Sequence, residues 1–206
     1  MKDQSAAWEK EYLGKGAVWG GAVHHLPALP PGSRVLELGC GNGKTLSAML
    51  QRGWEVTAID FSVCAVLMSR KDTGMPGNGD GCVADARTLP FASDRFDAVV
   101  AVHLLSHLTH QDRARAAAEA VRVIKPDGIL YFSGFSTEDF RSGKGSAVEE
   151  GTVMRGSGIC THYFTEPEIR DLFSTLELKS ITTRRWSMRV SGQDLPRAEI
   201  QATFVK

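Results

Sequence analysis

From Ser33 onward, short apolar runs alternate with helix-like segments, and no other feature of the chain restricts its fold as strongly. Arg34–Leu38 (RVLEL) closes on glycines and reads as a buried strand. Further runs lie at 54–59, 82–84, Phe96–Val102 (FDAVVAV) and 129–135. Between them, 44–52 carries Leu46, Met49 and Leu50 on one side of a helix, and Ser62 is placed to cap a helix reaching Arg70. The alanine-rich segment 111–124 is a third helix, stopped by Pro126, Asp127 and Gly128. Thr165-Glu166-Pro167-Glu168 is a capping box with proline in the first turn, opening a helix to about Ser174. Two last strands, near 178–185 and 198–205, have no helix between them; a loop around 192–196 joins them and they should pair antiparallel. Alternating strands and helices make βαβ units. The expected fold is α/β: a doubly wound, seven-stranded, mostly parallel sheet with the last strand antiparallel and helices on both faces.

The chain has 206 residues, the size of one domain. Residues 1–32 form a polar leader closed by Pro27, Pro30, Pro31 and Gly32, and 33–206 form the single domain. Lys plus Arg and Asp plus Glu are both 24, a balance that argues against a protein built to grip a long polyanion. No apolar run approaches the ~20 residues of a membrane span, and the N-terminus lacks the apolar stretch of a signal peptide, so a cytoplasmic protein without a membrane partner is expected. The four cysteines form no CxxC pair and read as free thiols. Cys160 and His162 lack a second ligand pair, so no metal is expected. Nothing in the chain points to an oligomeric state.

The richest motif, Glu37-Leu38-Gly39-Cys40-Gly41-Asn42-Gly43-Lys44-Thr45, ends the first strand and opens the first helix. Doubly wound sheets bind ligands at such a position. A dinucleotide fingerprint would need a third glycine where Lys44 stands. A P-loop would need its first glycine at Leu38, and Glu37 would repel the phosphates.

The G-x-G-x-G spacing behind Glu37 resembles the first motif of the class I S-adenosylmethionine-dependent methyltransferases. The chemistry agrees. That cofactor carries no phosphate, its amino-acid tail lies against bare backbone, and its cationic groups favour a nearby carboxylate. Asp60, after the second strand, resembles the family acid that accepts the ribose hydroxyls, followed by Phe61 and Ser62 at the adenine edge. Asp85, within Ala84-Asp85-Ala86, resembles the acid that accepts the adenine amino group. Leu89-Pro90-Phe91, Phe96-Asp97 and the turn Arg122–Gly128 also follow the family order. The stretch from Val102 to Leu108 resembles the post-strand segment N-x-x-x-H-H-L, with Val102 in place of the polar residue and Ser106 in place of the first histidine.

The resemblance implies methyl transfer from S-adenosylmethionine, leaving S-adenosylhomocysteine. It assigns the cofactor to Glu37, Gly39, Cys40, Gly41, Gly43, Asp60, Phe61, Asp85, Ala86 and Val102. Methyl transfer is an in-line displacement, so alignment and water exclusion matter most; a hydroxyl or protonated amine acceptor also needs a base. His103, at the mouth of the fourth strand, is the candidate base, and His107 reads as structural. Tyr12 and Trp19, in the leader, can face the sulfonium. The segment 136–164 is glycine-rich and without clear period to Gly158, and reads as a lid loop; Thr161-His162-Tyr163-Phe164 either lines the acceptor pocket or anchors that loop. With no separate substrate domain, the expected acceptor is a small molecule, with nucleic acid disfavoured. The basic residues Lys179, Arg184, Arg185, Arg189 and Arg197 support the alternative of a nucleic-acid acceptor; a protein acceptor or a non-catalytic cofactor-binding protein are further alternatives.

Overall fold

The computed structural model describes residues 4–15, 25–73 and 79–206. A helix α1 (Ser5–Lys15) precedes the sheet. Then follow β1 (Arg34–Leu38), α2 (Lys44–Leu50), β2 (Glu55–Asp60), α3 (Val63–Thr73), β3 (Gly79–Val83), β4 (Phe96–Val102) and a 3-10 turn at Leu104–His107. The chain continues through α4 (His110–Val123), β5 (Ile124–Phe135), β6 (Ser146–Glu149), β7 (Thr152–Met154), β8 (Cys160–His162), α5 (Glu166–Leu172), β9 (Glu177–Val190) and β10 (Gln193–Val205).

The main sheet has the order β3-β2-β1-β4-β5-β10-β9. Pairs within β3 to β5 are parallel, and β10 runs antiparallel to both β5 and β9, so the last strand is the reversed one, as expected. Order reverses between β1 and β4, and there the strand ends open a crevice. Alternate residues of each central strand are buried on opposite faces. Leu36, Val99, Leu130 and Phe132 pack with α4 and α5, while Val35, Val56, Ala98 and Val100 pack with Leu46 and Met49 of α2 and Val66 of α3. Phe132 meets Phe164 edge-on at 5.2 Å and Phe173 at 6.1 Å. Each such buried ring stabilises the fold by about 1.5–3 kcal/mol.

Helix starts follow the local chemistry. Ser62 Oγ accepts from Ala65 N at 3.1 Å, Thr109 Oγ1 from Asp112 N and Thr165 Oγ1 from Glu168 N, each at 3.4 Å. All four cysteines are free. Among the described residues no helix is long and apolar enough to cross a membrane.

Two expectations are corrected. The last strands are longer than their apolar cores, and the loop expected at 192–196 shrinks to Ser191-Gly192, with φ of 49° and 83°. Positive φ at both positions gives the turn a hand that matches strand twist. Pro196 lies inside β10 opposite Ser187. Its carbonyl accepts from Phe140 N, and Ala198 N turns to Asp139, so these positions face away from β9 and the missing N–H costs no rung of that ladder.

The segment 136–164 is likewise not irregular. It builds a second antiparallel sheet, β6-β7-β8, with Gly145 and Gly151 at positive φ. Its strands span three or four residues, too short to show a period. A largely buried polar network ties it down. His162 Nδ1 meets Thr152 Oγ1 and its Nε2 meets Glu168 Oε1, each at 2.8 Å, and Arg113 pairs with Glu149 at 3.1 Å. Phe164 N donates to Phe135 O, docking the end of the segment onto β5.

Candidate active site

A cavity of about 650 Å³ opens at the C-terminal ends of β1, β2, β4 and β5. Its first half is backbone. Gly39, Gly41 and Gly43 have φ of 75°, 52° and 83°, a region that side chains disfavour. Gly39 N and Cys40 N both donate to Ile59 O, which bends the loop over β2. A Cβ on Gly41 would stand 3.0 Å from the Tyr12 hydroxyl, and one on Gly43 2.9 Å from Ser69 Cα. Gly39 and Gly41 therefore leave the cavity wall bare, whereas Gly43 is required by the contact between α2 and α3 and does not line the cavity.

Three carboxylates gather behind and beside this loop. Asp60, buried at the end of β2, accepts from Gly41 N at 3.0 Å and from Ser62 N at 2.9 Å. Burial raises its pKa, opposed by those two N–H groups. Glu37 is 2% exposed, does not line the cavity and has an Oε2 without a partner among the described residues. Burial, with Asp60 nearby, holds its pKa well above the usual carboxylate range. Asp85 lines the cavity and takes a bidentate pair from Arg87, which also reaches Asp112. Burial works to raise the Asp85 pKa, and Arg87 overrides it and lowers it. Cys40, Phe61, Ala86 and Val102 also line the cavity.

Helix α1 covers this half. Trp8 and Tyr12 are buried, line the cavity and stack at 5.7 Å; Trp8 also meets His107 edge-on at 4.8 Å. Glu9 accepts from Ser62 Oγ and from Cys64 N, adding a cap from a distant helix to the one that Ser62 gives α3. Gln4 joins His107 O to Cys160 N, and His107 Nδ1 lies 2.9 Å from Cys160 O, so His107 is a structural residue of the cavity wall. Trp8 and Glu9 were missed from the sequence because the polar pattern of α1 shows no apolar face. Trp19 lies outside the described residues.

The second half is made of side chains from β4, β5, β10 and β9. His103 has φ 60°, donates its N–H to Ser133 O at 2.7 Å and stacks on Phe135 at 4.3 Å. Burial, then His107, Lys44, Arg141 and Arg197, push its pKa down to about 3, and its Nδ1 has no partner among the described residues. Tyr131, Ser133, Arg184, Trp186, Glu199 and Gln201 complete this wall. Arg184 and Arg197 lie over the Trp186 ring at 5.0 and 5.3 Å. The five basic residues singled out above are each ion-paired: Lys179 with Glu177, Arg184 with Glu199, Arg185 with Glu138, Arg189 with Asp194 and Arg197 with buried Asp139. They do not form one free basic face; two of them, Arg184 and Arg197, turn into the cavity. Thr161, His162, Tyr163 and Phe164 anchor the small sheet and are not among the cavity residues.

Residues 36–132 match the family model of the methyltransferase domain. The segment 36–132 is therefore a methyltransferase domain, and the chain has the fold of solved S-adenosylmethionine-dependent methyltransferases. A methyltransferase of this kind from Methanosarcina mazei superimposes with a TM-score of 0.74 at 24% identity, covering 89% of this chain and 99% of that one. The tRNA N(3)-methylcytidine methyltransferase of Drosophila melanogaster is 30% identical over 84% of this chain and 58% of its own length. The tRNA N(3)-cytidine methyltransferase of Bos taurus is 28% identical over 77% of this chain and 47% of its own. The chain thus spans about half the length of these curated relatives.

These relatives overturn the expectation of a small-molecule acceptor with nucleic acid disfavoured. That expectation rested on the lack of a separate substrate domain, with a net charge summed over the whole chain beside it; neither measures what lines the cavity. The residues of this methyltransferase domain fit its cofactor, S-adenosylmethionine. The wall at Gly41 is bare where a Cβ would meet Tyr12, and Asp60 and Asp85 present carboxylate oxygens to the cavity. Each oxygen of Asp60 still has a second lone pair for a ribose hydroxyl.

Proposed function

We propose that the protein transfers the methyl group of S-adenosylmethionine to a base of a nucleic acid, with tRNA as the acceptor to test first. The observation that carries this reading is the similarity to the tRNA cytidine methyltransferases over most of this chain. The second half of the cavity supports it, since an unstacked base can lie against Trp186 and the His103–Phe135 pair.

The bound cofactor supplies an electrophilic methyl on a sulfonium with an excellent leaving group. The glycine loop and Asp60 fix the amino-acid and ribose ends, and Asp85 with Phe61 and Ala86 meets the adenine. Trp8 and Tyr12 exclude water from that half, and their ring faces favour a cation. A neutral ring nitrogen attacks with its own lone pair, so no base has to remove a proton first. His103, with its pKa pushed down to about 3, is a weak base and acts as a neutral wall that positions the acceptor. Helix α1, which places Trp8 and Tyr12 on the cavity, serves as the closing element above the first half.

Transfer of labelled methyl from S-adenosylmethionine to unfractionated tRNA, followed by nucleoside analysis, tests this reading. A methylated base is expected, with a rate that falls steeply with salt. Cofactor binding without label in tRNA, or transfer insensitive to salt, would overturn it.

A further inference from the structure

The geometry points to Glu199 as the residue that selects the acceptor: its carboxylate takes an N–H of an amino group beside the methylated ring nitrogen, and so favours amino-bearing bases over keto-bearing ones. The inference rests on the nucleic-acid reading above and goes beyond it to the class of base.

Glu199 lies in β10 opposite Phe135 of β5 and Arg184 of β9, and faces the cavity although it is only 8% exposed. One of its oxygens is held: Oε1 accepts from Gln201 Nε2 at 2.8 Å and from Arg184 Nη1 at 3.5 Å. The other is not. Oε2 lies 3.6 Å from His103 Nε2, beyond hydrogen-bond length, on a residue that faces the cavity. A carboxylate oxygen in this position has lone pairs to accept a hydrogen bond from a ligand in the cavity.

The fixed oxygen orients the free one. Gln201 and Arg184 clamp Oε1, so Oε2 is aimed into the space beside His103 at the mouth of β4. An exocyclic amino group offers a proton to that oxygen. A carbonyl in the same place brings lone pairs against lone pairs, and the site would reject it. Methylation of a neutral ring nitrogen also leaves a positive charge on the product, shared with an adjacent amino group. A carboxylate placed there stabilises the charge as it develops. The balance is simple: the nitrogen–methyl bond forms with the nitrogen lone pair, the sulfur–methyl bond breaks with its electrons going to sulfur, and no proton is transferred in the step.

The test uses the full chain loaded with S-adenosylhomocysteine and titrated with cytidine 5′-monophosphate or uridine 5′-monophosphate by calorimetry. The wild-type protein should bind the cytidine nucleotide at least about tenfold more tightly, the scale of a charged hydrogen bond gained or refused. In Glu199→Gln the ratio should fall close to one, with the affinity for S-adenosylhomocysteine unchanged. Glu199→Asp, which withdraws the carboxylate by one methylene, should give an intermediate ratio and guards against a folding defect in the first variant. Equal affinities in the wild type, an unchanged ratio in the variants, or no binding of either nucleotide would overturn the inference. The tRNA assay above is read separately. Transfer to tRNA without a cytidine preference would sink the role of Glu199 and leave the nucleic-acid reading standing. A cytidine preference without transfer to tRNA would do the reverse.

Discussion

The first half of the cavity takes Gly39 to Asn42 from the turn after β1, Asp60 and Phe61 from the turn after β2, and Asp85 and Ala86 from the turn after β3. The second half takes His103 from the end of β4, Tyr131 and Ser133 from β5, Glu199 and Gln201 from β10, and Arg184 and Trp186 from β9. The first presents backbone and a few carboxylates, set at strand ends and on the turns that directly follow them. The second presents side chains brought together by strand pairing across a long stretch of chain. One half is written as contiguous motifs and suits a fixed ligand. The other can change its specificity by single substitutions on the faces of three strands, without disturbing the loop.

The sharpest way to break this contrast is at Gly43. In Gly43→Val the side chain meets Ser69 Cα and the backbone must hold φ near 83°. Left-handed strain and overpacking together should cost about 2–5 kcal/mol, read as a large drop in the denaturation midpoint. Asp60→Ala should weaken S-adenosylhomocysteine binding by about 1.5–3 kcal/mol in calorimetry, since Oδ2 anchors the glycine loop at Gly41 and Oδ1 the turn into α3 at Ser62. Trp186→Ala should leave that affinity unchanged and raise KM for tRNA by the equivalent of about 1–3 kcal/mol of lost stacking. If Trp186→Ala weakens cofactor binding as much as Asp60→Ala does, the two halves are not independent. Glu9→Gln removes the charged cap of α3 and should cost about 1 kcal/mol, with faster proteolysis of α1.

The smallest effect is in the pH dependence, where the histidines and the buried carboxylates act with opposite signs. His103 and His107 have pKa values lowered to about 3 and about 4, burial being the main cause. The unfolded chain binds their protons near pH 6.5, so their stability is present above that pH and lost as pH falls toward 4. Glu37 and Asp60 have raised values, so their contribution is present at low pH and lost as pH rises through the folded values. Thermal melts across pH 4–8 should flatten on the acid side in His107→Asn and toward neutral pH in Glu37→Gln. Parallel curves for wild type and His107→Asn would remove the histidines from the acid limb.

The order of strands and helices was legible because β1, β4 and β5 carry apolar runs and three helix starts carry their own caps, at Ser62, Thr109 and Thr165. The cofactor half was legible for a related reason: positive φ at three nearby positions demands glycine, and that demand leaves a pattern in the sequence. The small sheet was not, because β7 and β8 are three residues each and depend on a network that joins Arg113, Glu149, Thr152, His162 and Glu168. Trp8, Glu9 and Glu199 were not legible either. A tryptophan in a polar helix and a glutamate in a strand gain meaning only from what lies opposite them.

The sequence by itself determined the α/β sheet, its reversed last strand and the bare glycine loop on the cavity wall, since these follow from residues close enough to constrain one another through local backbone geometry. Only the tertiary structure decided the acceptor side. Pairing β10 with β5 and β9 sets Glu199 opposite Phe135 and Arg184, and it brings His103 within 3.6 Å of a carboxylate far along the chain. A side chain's partners across a sheet depend on register between distant strands, and no spacing within a single run of residues records that register.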